Sequence, residues 1–89
     1  MEVSGDVDAE TAPMLLVALA EAIDVTPRVC CDLRGVGFFG ADGANVLAIA
    51  HVHAAHARGA FSVRGVHGFT ARVLEITGLN LILRMDDQV

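Results

Sequence analysis

The chain contains no Trp, no Tyr and no Lys. Six Arg stand against seven Asp and four Glu, for a formal net charge of −5. Nucleic-acid binding is disfavoured at once, because phosphate contacts need a basic patch. Hydroxyls are scarce: Ser4 and Ser62 are the only serines, and no Ser or Thr lies between Thr26 and Ser62. Neither serine sits on a recognisable nucleophile elbow, so nucleophilic catalysis finds no support. No apolar run reaches transmembrane length without a charge. The start, Met1 to Asp6, lacks the basic and apolar stretches of a signal peptide, which makes a cytoplasmic location the default expectation. Cysteine is limited to the adjacent pair Cys30 and Cys31. Two neighbours with no others give neither a disulfide framework nor zinc spacing. On a strand they point to opposite faces, so one should be a core residue and the other should pack under a helix or near an edge. A redox-sensing thiol is the lesser alternative.

What is present is apolar. Hydrophobic residues make up 54% of the 89, and mean hydropathy is +0.56. That is enough to offset the ordering entropy of one small folded domain over residues 1–89, with no repeats or linkers. The core must be built from small pieces, fourteen Ala and twelve Val beside four Phe. Abundant Ala, Val, Gly and Arg without Lys suggests a G+C-rich bacterial genome, on composition alone.

Along the chain, Glu2–Ser4 reads as a short strand ending at Gly5. Asp8 or Thr11 caps a first helix, with Pro13 in its first turn, where a missing N–H costs least. Leu15, Leu16, Leu19, Ala22 and Ile23 recur at helical spacing. Val29–Leu33 reads as a strand covered on both faces, with Asp32 near its end. Arg34 to Gly43 holds four glycines and reads as a loop. A second helix follows to about Arg58, with Gly59 as its stop. Ala60–Val66 is the next strand, Gly68–Thr77 a short helix closed by Gly78, and Leu81–Met85 the last strand. Strand and helix alternate throughout, which implies an α/β domain with largely parallel pairing.

The run Asp32-Leu-Arg-Gly-Val-Gly-Phe-Phe-Gly-Ala-Asp-Gly resembles the "DLSGVTFIDSSG" block of STAS domains, the family of the anti-sigma factor antagonists and of sulfate-transporter tails. Gly5-Asp6-Val7-Asp8 is similar to the family's "GELD". Arg58-Gly59 matches the "RG" closing its second helix. Val73 to Leu79 resembles "VLELTGL", typical of the antagonist branch. The resemblance covers nearly the whole chain. It implies a small STAS-like α/β fold, with about four strands in a mixed sheet and helices mainly on one face. A typical member has one more N-terminal strand and a C-terminal helix, so the chain is expected to be short at both termini and to leave an open sheet edge.

The resemblance also implies a function and shows where the sequence departs from it. Antagonists carry a Ser or Thr at the start of the second helix, which an anti-sigma factor kinase phosphorylates. Here the acceptor position is Ala41, preceded by Gly40 and followed by Asp42. A phosphate would bring about −1.5 to −2 charge; Ala41 cannot take one, and Asp42 supplies about half that charge. Two outcomes follow, a permanently competent binder or a permanently weakened one, while Asp42 can equally serve as a helix cap. The implied partner surface comprises Phe39, Gly40, Ala41, Asp42, Asn45, Ile49 and Val52. Helical azimuth agrees: Val46, Leu47, Ala50, Ala54 and Ala57 share a core face, and Ile49 and Val52 fall off it.

His51, His53 and His56 are poorly spaced for one metal site on a helix, and no metal or other cofactor is expected. The arginines are spread along the chain without forming a run. Asp32 is expected to stabilise a turn. The expected function is therefore not enzymatic: an anti-sigma factor antagonist-like module, non-phosphorylatable at Ala41, that binds an anti-sigma factor kinase. The alternative is a STAS scaffold or dimerisation module in a regulatory or transport complex, pairing as a homodimer through the open sheet edge.

Overall fold

The computed structural model of the chain describes residues 1–86; the last three residues of the expected 1–89 domain lie outside the described residues. The elements are β1 (Glu2–Val7), α1 (Ala12–Val25), β2 (Arg28–Phe39), α2 (Ala41–His56), β3 (Ala60–Arg64), α3 (Gly68–Thr77), a 3-10 turn at Leu79–Leu81, and β4 (Arg84–Met85). The four strands form one sheet in the order β1-β2-β3-β4. Every pairing is parallel, so the expected mixed sheet is corrected to an all-parallel one. The reason is connectivity. A helix separates each strand from the next, and each crossover returns the chain in the same direction.

Connectivity also sets the faces. Crossovers of one hand that step the same way across a sheet put their helices on the same side. Burial along β2 shows the result. Val29, Cys31 and Leu33 are buried under the helices, while Arg28 and Arg34 are exposed and Cys30 is half-buried on the opposite side. The expectation that Val29–Leu33 is covered on both faces is thus overturned. One face is packed and the other is open. Cys31 is the core cysteine and Cys30 lies on the open face rather than under a helix.

The glycine-rich loop expected from Arg34 is mostly strand. β2 continues to Phe39, and Asp32 sits inside it rather than near its end. Gly35 and Gly37 accept extended backbone here because β1 lies beside them; a Cβ on Gly35 would stand 3.1 Å from Ser4 Cβ. β1 likewise runs past Gly5 to Val7, with irregularities in register on both sides of Gly5. The expected last strand shrinks to Arg84–Met85, since Leu79–Leu81 closes a 3-10 turn first. α3 has the expected bounds and ends on Gly78.

The core is continuous between the helices and the sheet. Leu19, Leu33, Phe39, Leu47, Val63 and Leu74 are fully buried at its centre. α2 contributes Val46, Leu47, Ala50 and Ala54 to it, as the azimuth requires; Ala57 is exposed, because the helix has already ended at His56. The chain leaves α2 through Arg58, which takes a left-handed backbone at φ 59°. Gly59 then passes so close to Pro27 that a Cβ would lie 2.6 Å from its carbonyl oxygen.

Candidate functional site

The residues expected at the partner surface gather around the start and outer side of α2. Gly40 is the N-cap, in extended conformation, and its N–H donates to the Val7 carbonyl at 3.0 Å. That bond ties the helix entry to the end of β1. The Gly40 carbonyl then accepts from Gly43 at 3.0 Å and Ala44 at 3.2 Å. Glycine offers no side chain to cap the helix, and no side-chain cap bond is present. Asp42 stands in the first turn, where the helix dipole favours a carboxylate, but it does not cap. Ala41, Asp42 and Asn45 are exposed, as are Ile49 and Val52 at 41% and 52%.

These positions form a strip. Ala41, Ala44, Asn45 and Ala48 line a shallow concavity of about 290 Å³, with Thr77 and Leu79 as the opposite wall. Ala48 also lines the next concavity, about 380 Å³, with Ile49, Val52, His53 and His56. The two concavities meet at Ala48 along the outer side of α2, with apolar and polar side chains in the lining. Folding brings a hydroxyl, that of Thr77, to Ala41's concavity, although none lies near Ala41 in sequence. Thr77 Oγ1 donates back into its own helix, to the carbonyls of Val73 and Leu74 at 2.9 and 3.2 Å.

Phe39 does not belong to this surface. It is fully buried, and it supports α2 from below. A Cβ on Gly43 would approach the Phe39 ring to 2.8 Å and Val7 Cγ1 to 2.9 Å, so the helix rests directly on both side chains. The exposed aromatic is Phe38. Its ring covers Gly40 and stacks on Phe69 of α3, with centroids 5.6 Å apart and planes inclined by 21°. Both rings are about half exposed. Asp6 Oδ1 accepts the Phe38 N–H at 3.0 Å and holds that segment to β1. Phe38 and Phe69 form an exposed pair beside the start of α2 that sequence reasoning did not single out. The available signal was alternation: adjacent phenylalanines on a strand cannot both face the core.

The remaining candidates are structural. Asp8 makes the turn before α1, its Oδ1 accepting the N–H groups of Glu10 and Thr11 at 3.0 and 3.1 Å. The Thr11 N–H bond foremost holds its carboxyl below the ordinary aspartate value. Thr11 is the N-cap residue of α1, but its side chain does not cap the helix. Asp32 accepts the Arg34 N–H at 3.0 Å and the Arg34 guanidinium at 3.0–3.3 Å, with Arg64 Nε at 3.6 Å. Those partners, the Arg34 N–H first, depress its pKa. Cys31 is pushed the other way, to about 12, by burial. His53 Nε2 lies 2.8 Å from Asp24 Oδ1 and pins α2 to α1. Among the described residues, no three His, Cys, Asp or Glu side chains are grouped to hold a metal ion. Among the described residues, no helix is long and apolar enough to cross a membrane.

Residues 1–84 match the family model described as "Mlab, STAS domain". Among solved structures, an anti-sigma factor antagonist from Mycobacterium paratuberculosis superposes with a TM-score of 0.86 at 30% identity, over 99% of this chain and 75% of that one. An anti-sigma-factor antagonist (STAS) domain protein from Planctomyces limnophilus gives 0.78 at 20% identity, over 93% and 73%. The anti-sigma factor antagonist SpoIIAA, in its unphosphorylated form, gives 0.74 at 11% identity, over 99% and 77%, a likeness of fold. No curated protein sequence matches the chain.

Proposed function

We propose, from the premise that the chain belongs to the STAS domain family, that it is a cytoplasmic protein-binding regulator of the anti-sigma factor antagonist kind. It takes an anti-sigma factor kinase on the outer groove of α2, with no enzymatic activity of its own. Its partner-facing residues are Gly40, Ala41, Asp42, Asn45, Ile49 and Val52, with the Phe38–Phe69 stack beside them. One observation carries this reading: the exposed apolar side chains Ile49 and Val52 and the helix entry at Ala41 share one side of α2, in concavities that meet at Ala48, with Asn45 as the exposed polar residue between them. Exposed apolar area of that kind is costly unless a partner covers it.

Ala41 removes the hydroxyl on which a phosphate switch would act. Thr77 lies on a different helix, α3, and its hydroxyl donates to the carbonyls of Val73 and Leu74 rather than toward the helix entry at Ala41. The complex is therefore constitutive with respect to this switch, and Asp42 gives it a fixed single negative charge. The test is a binding titration against the anti-sigma factor kinases of the source genome. The expected result is one partner that binds with or without ATP. Ala41→Ser should then become phosphorylated by that partner and lose affinity on modification. Failure of every kinase to bind, together with no phosphorylation of Ala41→Ser, would overturn the reading.

A second reading, a dimerisation module, is favoured by the outer edge of β1, which has no neighbouring strand among the described residues. The left-handed Gly5 at φ 84° breaks that edge, so a second copy would pair over little more than Glu2–Ser4. Sedimentation equilibrium at high concentration separates the two: a monomer leaves the binding module alone.

A further inference from the structure

The open face of the sheet carries a concavity remote from α2. It encloses about 200 Å³ and is lined by Arg28, Cys30, Ala60, Ser62, Arg84 and Asp86. Strand register builds it. Cys30 lies opposite Ser62 and Ser62 opposite Arg84, while Arg28 lies opposite Ala60. Partners in register point to one face of a sheet, so three separate strands deliver these side chains together. Ala60 offers only a methyl group at its place in the lining.

Charge distinguishes this end of the face from the other. Arg34 and Arg64 are both spent on Asp32, at 3.0 and 3.6 Å. Arg28 and Arg84 form no ion pair among the described residues, and Asp86, the one acid lining the concavity, contacts neither within ion-pair distance. Among the described residues, two cations without an ion pair, one hydroxyl and one carboxylate leave the concavity at +1 in a chain of −5. A guanidinium presents a planar fork of donors matched to phosphate and carboxylate oxygens, and Ser62 adds a further donor between them.

We propose that this concavity is a binding site for a small oxyanion, a phosphate or carboxylate group, clamped between Arg28 and Arg84 over Ser62. The site is independent of the partner surface on α2. It uses none of its residues and lies on the opposite face of the sheet.

Cys30 is a reporter already in place. It is half-buried in the concavity, whereas Cys31 is buried on the other face. The intact chain is alkylated with anionic iodoacetate and with neutral iodoacetamide at fixed ionic strength, and mass spectrometry locates the adduct. The ratio of the two rates at Cys30 should fall about threefold on Arg28→Gln and again on Arg84→Gln, the size of one screened charge a few ångströms away, and should rise on Asp86→Asn. Inorganic phosphate, or succinate in a separate arm, should protect Cys30 where chloride does not; the stronger protector identifies the source of the oxyanion. Protection should vanish in the double arginine variant. As a second readout, the Ser62 and Cys30 amide resonances should shift on titration with the protecting anion in the parent chain and stay still in Arg84→Gln. Rates unchanged by the arginine substitutions, equal protection by chloride, or amide resonances that do not move would each overturn the proposal.

Discussion

Gly43 shows how much of the candidate surface depends on a residue that never touches a partner. It lets the first turn of α2 settle onto Phe39 and Val7, and the backbone of that turn presents Ala41 and Asp42 outward. Gly43→Ala would gain about 1 kcal/mol of helix propensity. The new methyl, 2.8–2.9 Å from two buried side chains, costs about 1–3 kcal/mol of overpacking. A lower urea midpoint is expected, together with weaker partner binding as the turn lifts. An unchanged midpoint would mean that Phe39 moves aside freely. Phe69→Ala acts differently. It removes a half-exposed stacking partner worth about 0.5–1.5 kcal/mol beyond area, and it frees the Phe38 ring that covers Gly40. A small loss of stability with a larger loss of partner affinity is expected in a calorimetric titration. The two phenylalanines also mark a limit of sequence reading at this scale. Adjacent Phe38 and Phe39 were both legible as important, but only alternation on a strand separates the buried one from the exposed one. The four glycines around them disguised the strand.

Among the elements, α2 carries the proposed surface and the end of α3 flanks it at Thr77. Ile49 and Val52 contribute apolar area outward while Val46, Leu47, Ala50 and Ala54 hold the helix down. Ile49→Asp with Val52→Asp should therefore leave the far-UV spectrum and melting temperature nearly unchanged, since exposed substitutions away from packed features stay within about 0.5 kcal/mol each. The same pair should abolish partner binding. A folded double variant that binds normally would remove α2 from the interface. Helices were the legible elements because their signals are local: periodic leucines in α1, and for α3 a run closed by Gly78. Strand bounds were less legible. β2 continues through Gly35 and Gly37 because β1 pairs with it, and that support comes from residues some thirty positions away. The groove wall at Thr77 and Leu79 was invisible for the same reason, since only folding brings it beside Ala41. The oxyanion concavity repeats the lesson, its two arginines standing on strands that the sequence separates widely.

At the scale of the molecule, one helix-covered face must support everything. An 89-residue domain has a stability of roughly 4–13 kcal/mol, so a single core truncation such as Leu47→Ala, at about 2–5 kcal/mol, consumes much of it. The bare face contributes electrostatics instead, chiefly through Asp32, which pairs with Arg34 on its own strand and reaches β3 through Arg64. This sets the acid limit of the fold. Asp32 and Asp8 both have carboxyl pKa values held below the ordinary 3.8 by their hydrogen bonds. A group whose folded pKa is depressed stabilises the native state above its unfolded value, and the benefit disappears as pH falls through the folded one. Stability against urea should accordingly be level with respect to these two groups near neutrality and decline once the pH drops below about 4. Asp32→Asn removes one of the two contributions and leaves two arginines on a neutral amide. The variant's midpoint should lie below that of the parent at pH 7, and the gap should narrow steadily as both chains are acidified toward pH 2. A gap independent of pH would show that the charge of Asp32, and the pairing with Arg34 and Arg64 that depends on it, contributes nothing to the fold.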